Sequence, residues 1–169
     1  MNYIINTTNQ CNLKCNYCIK EKNNIKPQDI EFNTIKIFFS EIKKNYDQND
    51  DSTINIIFHG GEPTIIDSAF YEKIIICILN IFENKKIKFN FQTNGTFINK
   101  SWISLLKKYD CSVSVSIDEC DIFHDVHHLN NDINHKIVLQ NIRKLKNNEI
   151  NTSCLMAVTN NSLGHETEI

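Results

Sequence analysis

Three cysteines lie within eight residues near the start of the chain, and their type and spacing are those of a cofactor site. Cys11, Cys15 and Cys18 occur in the string CNLKCNYC, directly after a short apolar run that is typical of a β-strand. Thiolates hold iron–sulfur clusters, and each iron of a cubane cluster needs a ligand. Three local thiolates therefore predict a [4Fe-4S] cluster with one iron open to a small molecule, as catalytic zinc sites keep one open position.

A structural zinc site and a ferredoxin-type electron carrier are the alternatives. Such a zinc site needs a fourth ligand and usually two paired half-sites, yet no second CxxC follows and the first histidine after the loop is His59. A ferredoxin would take its fourth cysteine from a nearby or repeated motif, whereas the next cysteine is Cys77, in an apolar helical stretch. The spacing favours a cluster with an open iron. The remaining cysteines share no spacing and are interpreted as packing residues: Cys77, Cys111, Cys120 and Cys154.

The composition predicts one domain in a reducing compartment. The chain has 169 residues, 41% of them hydrophobic, and a formal net charge of -2, which argues against a nucleic-acid partner. Its longest apolar stretch, Ile74 to Phe82, is too short to cross a bilayer, and the N-terminus lacks a signal-peptide pattern. Seven cysteines, an odd number, do not suit a disulfide framework, so we expect a cytoplasmic protein with no membrane partner.

Apolar, β-branched runs alternate with segments of helical periodicity along the chain. The predicted strands are Tyr3 to Thr8, Thr53 to Phe58, Lys88 to Gln92, Ser112 to Ile117 and Thr152 to Thr159. The predicted helices are Phe32 to Tyr46, Ser68 to Asn84, Lys100 to Tyr109 and Lys136 to Asn147. This alternation predicts an α/β fold with a parallel sheet and crossover helices.

Polar or glycine-containing residues follow each predicted strand, where ligands bind in parallel α/β sheets and barrels. The segments in question are the cysteine loop, His59 to Pro63, Thr93 to Thr96 and Asp118 to Glu119. A closed eightfold barrel takes about 250 residues, so we expect a partial (β/α) TIM-like barrel of about five parallel strands with outer helices. A sixth strand, or a second chain that completes the barrel, is expected to cover the last edge.

The segment Gly60-Gly61-Glu62-Pro63 has the composition of a ligand-binding turn. Two glycines let the backbone approach a ligand closely, and the carboxylate of Glu62 can accept a hydrogen bond from an ammonium group. An ordinary strand-to-helix turn is the alternative, since a carboxylate is favoured near a helix N-terminus in any case.

Together, CxxxCxxC after the first strand and GGEP after the second resemble the radical S-adenosylmethionine (radical SAM) superfamily. Further strings follow in the family's order, namely FHGGEPT, FQTNGT, VSID, HDVHH and AVTNN, starting at Phe58, Phe91, Val115, His124 and Ala157. The set looks most like the core domain of anaerobic sulfatase-maturating enzymes and related peptide-modifying enzymes with a C-terminal SPASM or twitch extension.

This resemblance implies a cofactor role for each matching position. In the family the three motif cysteines, here Cys11, Cys15 and Cys18, hold a [4Fe-4S] cluster whose fourth iron is chelated by S-adenosylmethionine. Further cofactor-binding positions implied are Tyr17 near the adenine, Gly60, Gly61 and Glu62 at the methionine ammonium, Ser116 and Asp118 at the ribose or methionine part, and Thr93 and Asn94 beneath the pocket.

The segment HDVHH departs from the family's pattern at its last position. Related enzymes commonly have an arginine there, which pairs with the cofactor carboxylate, whereas this chain has His128. A neutral imidazole cannot replace a bidentate guanidinium, so we expect this contact to weaken or to depend on pH. The neighbouring histidines, His124, His127 and His135, are interpreted as loop and helix surface rather than a second metal site.

The resemblance further implies a function for residues 1–169 as a radical SAM core domain, incomplete at its C-terminus and without a SPASM domain. A reduced cluster would cleave S-adenosylmethionine to a 5′-deoxyadenosyl radical that takes a hydrogen atom from a peptide or protein substrate, with electrons from a flavodoxin- or ferredoxin-type reductant. The alternatives are a glycyl-radical activase, a radical SAM enzyme for small heterocycles, and a truncated non-catalytic remnant that binds a cluster. No catalytic residue is assigned.

Overall fold

The computed structural model of the chain describes residues 1–15, 17–18, 26–46, 52–117 and 135–157. Strands and helices alternate along the described chain. The strands are β1 Asn2–Thr8, β2 Ile54–Gly60, β3 Ile87–Thr93, β4 Ser112–Ser116 and β5 Thr152–Leu155. The helices are α1 Phe32–Lys44, α2 Ser68–Ile81, α3 Lys100–Lys108 and α4 His135–Asn147, and a 3-10 turn spans Pro63–Ile65.

The five strands form one parallel sheet in the order β1-β2-β3-β4-β5, so every described strand pairs with its neighbour in sequence. This confirms the predicted α/β class with about five parallel strands and outer helices. Helix α2 ends earlier than predicted, at Ile81, because the chain turns at Asn84, whose φ of 67° is incompatible with a continuing right-handed helix. The predicted end of β5 at Thr159 lies outside the described residues.

Side chains on one face of the sheet form the core together with the helices. Alternate residues of β2, beginning with Ile54, Ile56 and Phe58, are completely buried, and they cluster with the buried faces of all four helices. Phe58 lies 5.2 Å from the ring of Tyr71 in α2 and 4.9 Å from the ring of Phe91 in β3, measured between centroids. Burial of each such side chain contributes roughly 1.5–3 kcal/mol.

The opposite face of the sheet carries amide and hydroxyl side chains. Asn90 of β3 donates to the hydroxyl groups of Ser112 and Ser114 in β4, at 2.9 Å and 3.3 Å, and the Ser114 hydroxyl lies 3.0 Å from that of Ser153 in β5. These side chains are half-buried or exposed, because no described helix covers this face. Each strand therefore has an apolar face towards the helices and a polar face on the other side, and both faces reach its carboxyl end.

Side-chain caps fix where two of the helices begin. Asp67 accepts a hydrogen bond from the N–H of Ala69 at 2.8 Å, and Asn99 accepts one from the N–H of Trp102 at 3.0 Å. Both helices start soon after a strand ends, so the caps also set the length of the loops at the carboxyl edge. Among the described helices, none is long and apolar enough to span a membrane.

Candidate cofactor site

A cavity of about 400 Å³ opens at the carboxyl edge of the sheet. Its lining comes from the cysteine loop and from the ends of β2, β3, β4 and β5, as expected for a ligand site in a parallel α/β sheet. The lining residues are Cys11, Leu13, Cys15, Tyr17, Cys18, His59, Gly61, Gln92, Thr93, Asn94, Ser116, Leu155, Met156 and Ala157. The structure thus brings the three cysteine thiols together with five other positions that the sequence predicts: Tyr17, Gly61, Thr93, Asn94 and Ser116.

Hydrogen bonds between main-chain groups shape the cysteine loop. The N–H of Cys18 donates to the carbonyl of Cys15 at 3.0 Å, which closes a tight turn between two of the thiols. The side chain of Leu13 is buried, with 4% exposed, and anchors the loop between Cys11 and Cys15. The loop is thereby held with its three thiol groups on one cavity, although Cys11 itself is exposed.

The base of the same loop is tied to the segment that follows it. The N–H of Asn9 donates to the carbonyl of Gln28 at 3.1 Å, and the N–H of Ile30 donates to the carbonyl of Thr7 at 2.8 Å. The hydroxyl of Thr8 adds a bond to the carboxylate of Asp29 at 2.5 Å. These contacts pin both ends of the loop beside the end of β1.

Gly60 and Gly61 allow the main chain after β2 to touch the start of the cysteine loop. A Cβ atom at Gly61 would lie 2.0 Å from the carbonyl oxygen of Gln10, and one at Gly60 would lie 2.3 Å from that of Thr8. Gly60 also has a φ of 148°, which side-chain-bearing residues rarely adopt. The N–H groups of Gly61 and Glu62 donate to the carbonyls of Thr8 and Gln10, both at 2.7 Å. The two glycines are therefore what brings the cysteine loop against the end of β2.

The carboxylate of Glu62 joins the ends of β2 and β3. It is completely buried and accepts bonds from the N–H and hydroxyl of Thr64, the hydroxyl of Thr93 and the N–H of Asn94, at 2.5–2.9 Å. Burial raises the pKa of this carboxyl, and the hydrogen bonds oppose that shift. Neither Glu62 nor Gly60 is among the residues that line the cavity. This geometry favours a structural role for the Glu62 side chain, and a contact of either residue with a cofactor stays a prediction.

Two predicted cofactor residues, Asp118 and His128, lie outside the described residues. Of those described, Ser116 accepts a hydrogen bond from the side-chain amide of Gln92 at 3.0 Å, and both line the cavity. The sequence analysis did not single out Gln92. Its position in the predicted strand before Thr93, one residue from a predicted site residue, is the signal that could have identified it.

The donor groups around Cys11 suit a thiolate. The N–H of Leu13 lies 3.4 Å from the sulfur and the side-chain amide of Asn94 lies 3.9 Å from it. Although part of Cys11 is exposed, desolvation of its thiol by the surrounding protein raises the pKa of that group, the two donors lower it, and Glu62 and Cys18 raise it further. Such N–H···S contacts stabilise the charged sulfur that binds iron.

The described side chains contain no group of three or more histidines, cysteines or carboxylates that could hold a single metal ion. The three cysteines line one cavity together with the ends of four strands. Thiolates are the usual ligands of iron–sulfur clusters, so the donor set fits the predicted cluster.

The chain matches the family model of the radical SAM superfamily over residues 5–168. It belongs to the radical SAM superfamily. The resemblance to this family that the sequence predicted is thus confirmed.

Relatives point to one group within the superfamily. A cysteine-type anaerobic sulfatase-maturating enzyme of Clostridium novyi is 27% identical over 165 residues, which are 94% of this chain and 43% of that protein. A second such enzyme, from Clostridium perfringens, is 31% identical over 125 residues, or 71% of this chain and 32% of that protein. The chain therefore resembles a core of these enzymes and spans less than half of their length.

A solved structure shows the same fold. Native anSMEcpe with bound AdoMet and Kp18Cys peptide superposes on this chain with a TM-score of 0.86 at 24% identity, covering 99% of this chain and 46% of that one. The likeness confirms the arrangement of the strands and helices described above.

Proposed function

We propose that this chain is the cofactor-binding core of a radical SAM enzyme, which holds a [4Fe-4S] cluster on Cys11, Cys15 and Cys18 and binds S-adenosylmethionine beside it. The observation that carries the proposal is the single cavity that the three thiols share with the ends of β2, β3, β4 and β5. Membership in the superfamily and the AdoMet bound in a structure of the same fold support it. Together, the bound cluster and S-adenosylmethionine would supply a 5′-deoxyadenosyl radical when an external one-electron donor reduces the cluster.

The charge of the cavity supports a cationic ligand. S-adenosylmethionine carries positive charge on its sulfonium and its ammonium, and no lysine or arginine is among the described residues that line the cavity. The carboxylate of Glu62 lies buried behind the wall at Thr93 and Asn94, where it adds a nearby negative charge when ionised. A cation entering the cavity is therefore not opposed by a lysine or arginine among the described lining residues.

The polar and apolar parts of the lining are separated in a way that suits an adenosyl group. Ser116 and Gln92 offer a hydroxyl and an amide to a ribose or a carboxylate, while Leu155 and Met156 at the end of β5 and the ring of Tyr17 offer apolar surface to a base. These five residues come from four separate segments of the chain, so the fold rather than a local motif assembles the pocket.

We further propose a peptide or protein as the substrate. The curated relatives named above are sulfatase-maturating enzymes, and the superposed structure holds a peptide together with AdoMet. The face of the sheet opposite the helices adds neutral donors and acceptors, such as Asn90 and Ser114. These groups can bond to a peptide backbone without favouring peptides of one net charge.

Anaerobic reconstitution of the chain with iron and sulfide tests the proposal. We expect an iron and sulfide content near four of each per chain, as a cubane requires, and formation of 5′-deoxyadenosine when S-adenosylmethionine and dithionite are added. Cys15→Ala removes one cluster ligand, so its cluster content should fall sharply. The matched control is Cys77→Ala, since Cys77 lies in α2 away from the cavity and is half-buried.

Three outcomes separate the alternatives. Equal cluster content in Cys15→Ala and Cys77→Ala would contradict the assignment of the ligands. A cluster without any 5′-deoxyadenosine would indicate a chain that binds a cluster but turns nothing over on its own. Cleavage of S-adenosylmethionine in the presence of a sulfatase-derived peptide, with a change in peptide mass located at a cysteine or serine, would support the proposed substrate class.

A further inference from the structure

A closed ring of hydrogen bonds between three side chains joins the cysteine loop to the loop after β3. The amide of Asn94 donates to the Oδ1 of Asn12 at 3.0 Å, and the amide of Asn12 donates to the hydroxyl of Thr96 at 3.1 Å. That hydroxyl donates in turn to the Oδ1 of Asn94 at 2.7 Å, which closes the ring. Asn12 lies between two cysteine ligands in sequence, so the ring acts on the loop that would hold the cluster.

The ring fixes which way the Asn94 amide points. The main-chain N–H of Thr96 also donates to Asn94 Oδ1, at 3.1 Å. Because a main-chain N–H can only donate, this contact requires an oxygen at that position and excludes the flipped amide. The Nδ2 group of Asn94 is therefore directed towards Asn12 and Cys11, and Asn12 must face it with its own oxygen.

The side-chain amide of Asn94 also lies within contact distance of the Cys11 sulfur. The Nδ2 atom lies 3.9 Å from Sγ, and the main-chain N–H of Leu13 approaches the same sulfur at 3.4 Å. Cys11 thus has one donor from within its own loop and one from a loop more than 80 positions further along the chain. The second donor depends on the ring for its position.

The main chain that carries Asn94 is held from two more sides. Its N–H donates to the buried Glu62 carboxylate at 2.6 Å. Asn141 of α4 donates to the carbonyls of Gly95 and Thr96 at 2.8 Å and 3.2 Å. The amide near the sulfur is therefore placed by a rigid support, as ligands of metal centres commonly are.

We propose that Asn94 tunes the reduction potential of the cluster through its N–H···S contact with Cys11, and that Asn12 and Thr96 are positioning residues that aim it. The proposal rests on the proposed cluster site. A donor to a ligand sulfur stabilises the reduced, more negatively charged cluster more than the oxidised one, so it raises the potential. Removing the donor should make the cluster harder to reduce without removing any iron ligand.

Potentiometric titration of the reconstituted chain, followed by the electron paramagnetic resonance signal of the reduced cluster, measures this effect. We expect Asn94→Leu to shift the midpoint potential to a more negative value at unchanged iron content. Asn90→Leu is the matched control, because Asn90 lies on β3, the strand that leads to Asn94, and donates only to serine hydroxyls in its described amide contacts. Its potential should equal that of the wild type.

Thr96→Val provides a second variant that keeps both asparagines and nearly the same shape. We expect a smaller shift in the same direction, with faster hydrogen exchange in peptides that cover residues 11–15 of the cluster-free chain. The exchange measurement reports the ring even where a variant binds less iron.

The outcomes distinguish this proposal from the proposed function. If wild type, Asn94→Leu and Thr96→Val hold equal clusters at equal potentials, the tuning role is wrong and the cluster assignment stands. If Asn94→Leu and Asn90→Leu shift the potential equally, the effect is not specific to the sulfur contact and the inference is again wrong. A wild-type chain that takes up no cluster overturns both proposals, and the iron analysis shows this before any variant is compared.

Discussion

The two faces of the sheet are built from different residues and serve different ends. On the helix-covered face, Phe58 and Phe91 pack with Tyr71 and Trp102 into a buried aromatic cluster of tilted and edge-to-face rings, with ring centroids about 5 Å apart. On the other face, Asn90 and the serines of β4 bond to one another and stay partly accessible. Adjacent residues of one strand therefore belong to two layers, one that stabilises the fold and one that presents polar groups.

The cavity lies where these layers meet, at the carboxyl ends of the strands. The apolar layer supplies the rigidity, and the last residue or two of each strand carries the group that lines the site, such as Gln92 and Ser116. Substitutions on the two faces should accordingly separate into those that lower stability and those that change the site alone.

Phe58→Ala should have the largest effect on stability. Phe58 is completely buried, so truncation should lower the free energy of unfolding by about 4 kcal/mol through lost apolar contacts and the cavity left behind. Urea unfolding followed by circular dichroism measures it. Phe97→Ala, at a phenylalanine that is 44% exposed, is the matched control and should cost much less. Equal losses at the two positions would break the distinction between the layers.

Gly61→Ala should damage both the fold and the cluster site. The new methyl group would lie 2.0 Å from a main-chain oxygen of Gln10, so the end of β2 and the cysteine loop must move apart. We expect a loss of about 3 kcal/mol in the free energy of unfolding, at the upper end for overpacking because the obstacle is main chain. Iron content after reconstitution should fall with it. A variant with normal stability and normal iron content would show that the close approach is not needed.

Glu62→Gln should lower stability by about 2 kcal/mol, because an amide cannot accept from all the donors around this position. Whichever way the amide turns, its NH2 group meets the main-chain N–H of Thr64 or that of Asn94. Thermal unfolding at neutral pH measures the loss. Glu72→Gln is the control, since Glu72 is at the surface and pairs only with Lys108 and Tyr109 among its described contacts. A neutral result at Glu62 would mean that the carboxylate is not the link between β2 and β3.

Ser114→Ala should have the smallest effect, within about 0.5 kcal/mol of the wild-type free energy of unfolding. Its hydroxyl bonds to other partly accessible polar groups that water can satisfy instead. The adjacent Val113 points to the other face and is 1% exposed, so Val113→Ala should cost about 1.5 kcal/mol or more. The difference between these neighbours is the sharpest measure of how distinct the two layers are, and a reversed order would contradict the assignment of the faces.

Local patterns in the sequence predicted the order of elements well, because each strand and helix repeats its periodicity over several residues. The placement of Cys11, Cys15, Cys18 and Gly61 on one cavity followed from the parallel topology, whereas that of Ser116 followed from the family resemblance. The burial of Glu62 and the ring through Asn12 were not predictable in that way. Both depend on contacts between residues 31 to 84 positions apart in sequence. The local spacing within GGEP or CNLKCNYC does not predict which distant residues these side chains contact.

The irregular pairing of β1 with β2 has a consequence for protein engineering. The register shifts between Asn6 and Thr8, which pair with His59 and Gly60, so β1 has one extra residue at this step. This extra residue sets how the start of the cysteine loop is aligned with Gly60 and Gly61. Grafting CNLKCNYC onto another parallel sheet would therefore transfer the ligands without their alignment. The smallest portable unit comprises two pieces of chain about fifty residues apart, and a scaffold would have to accept both at adjacent strands.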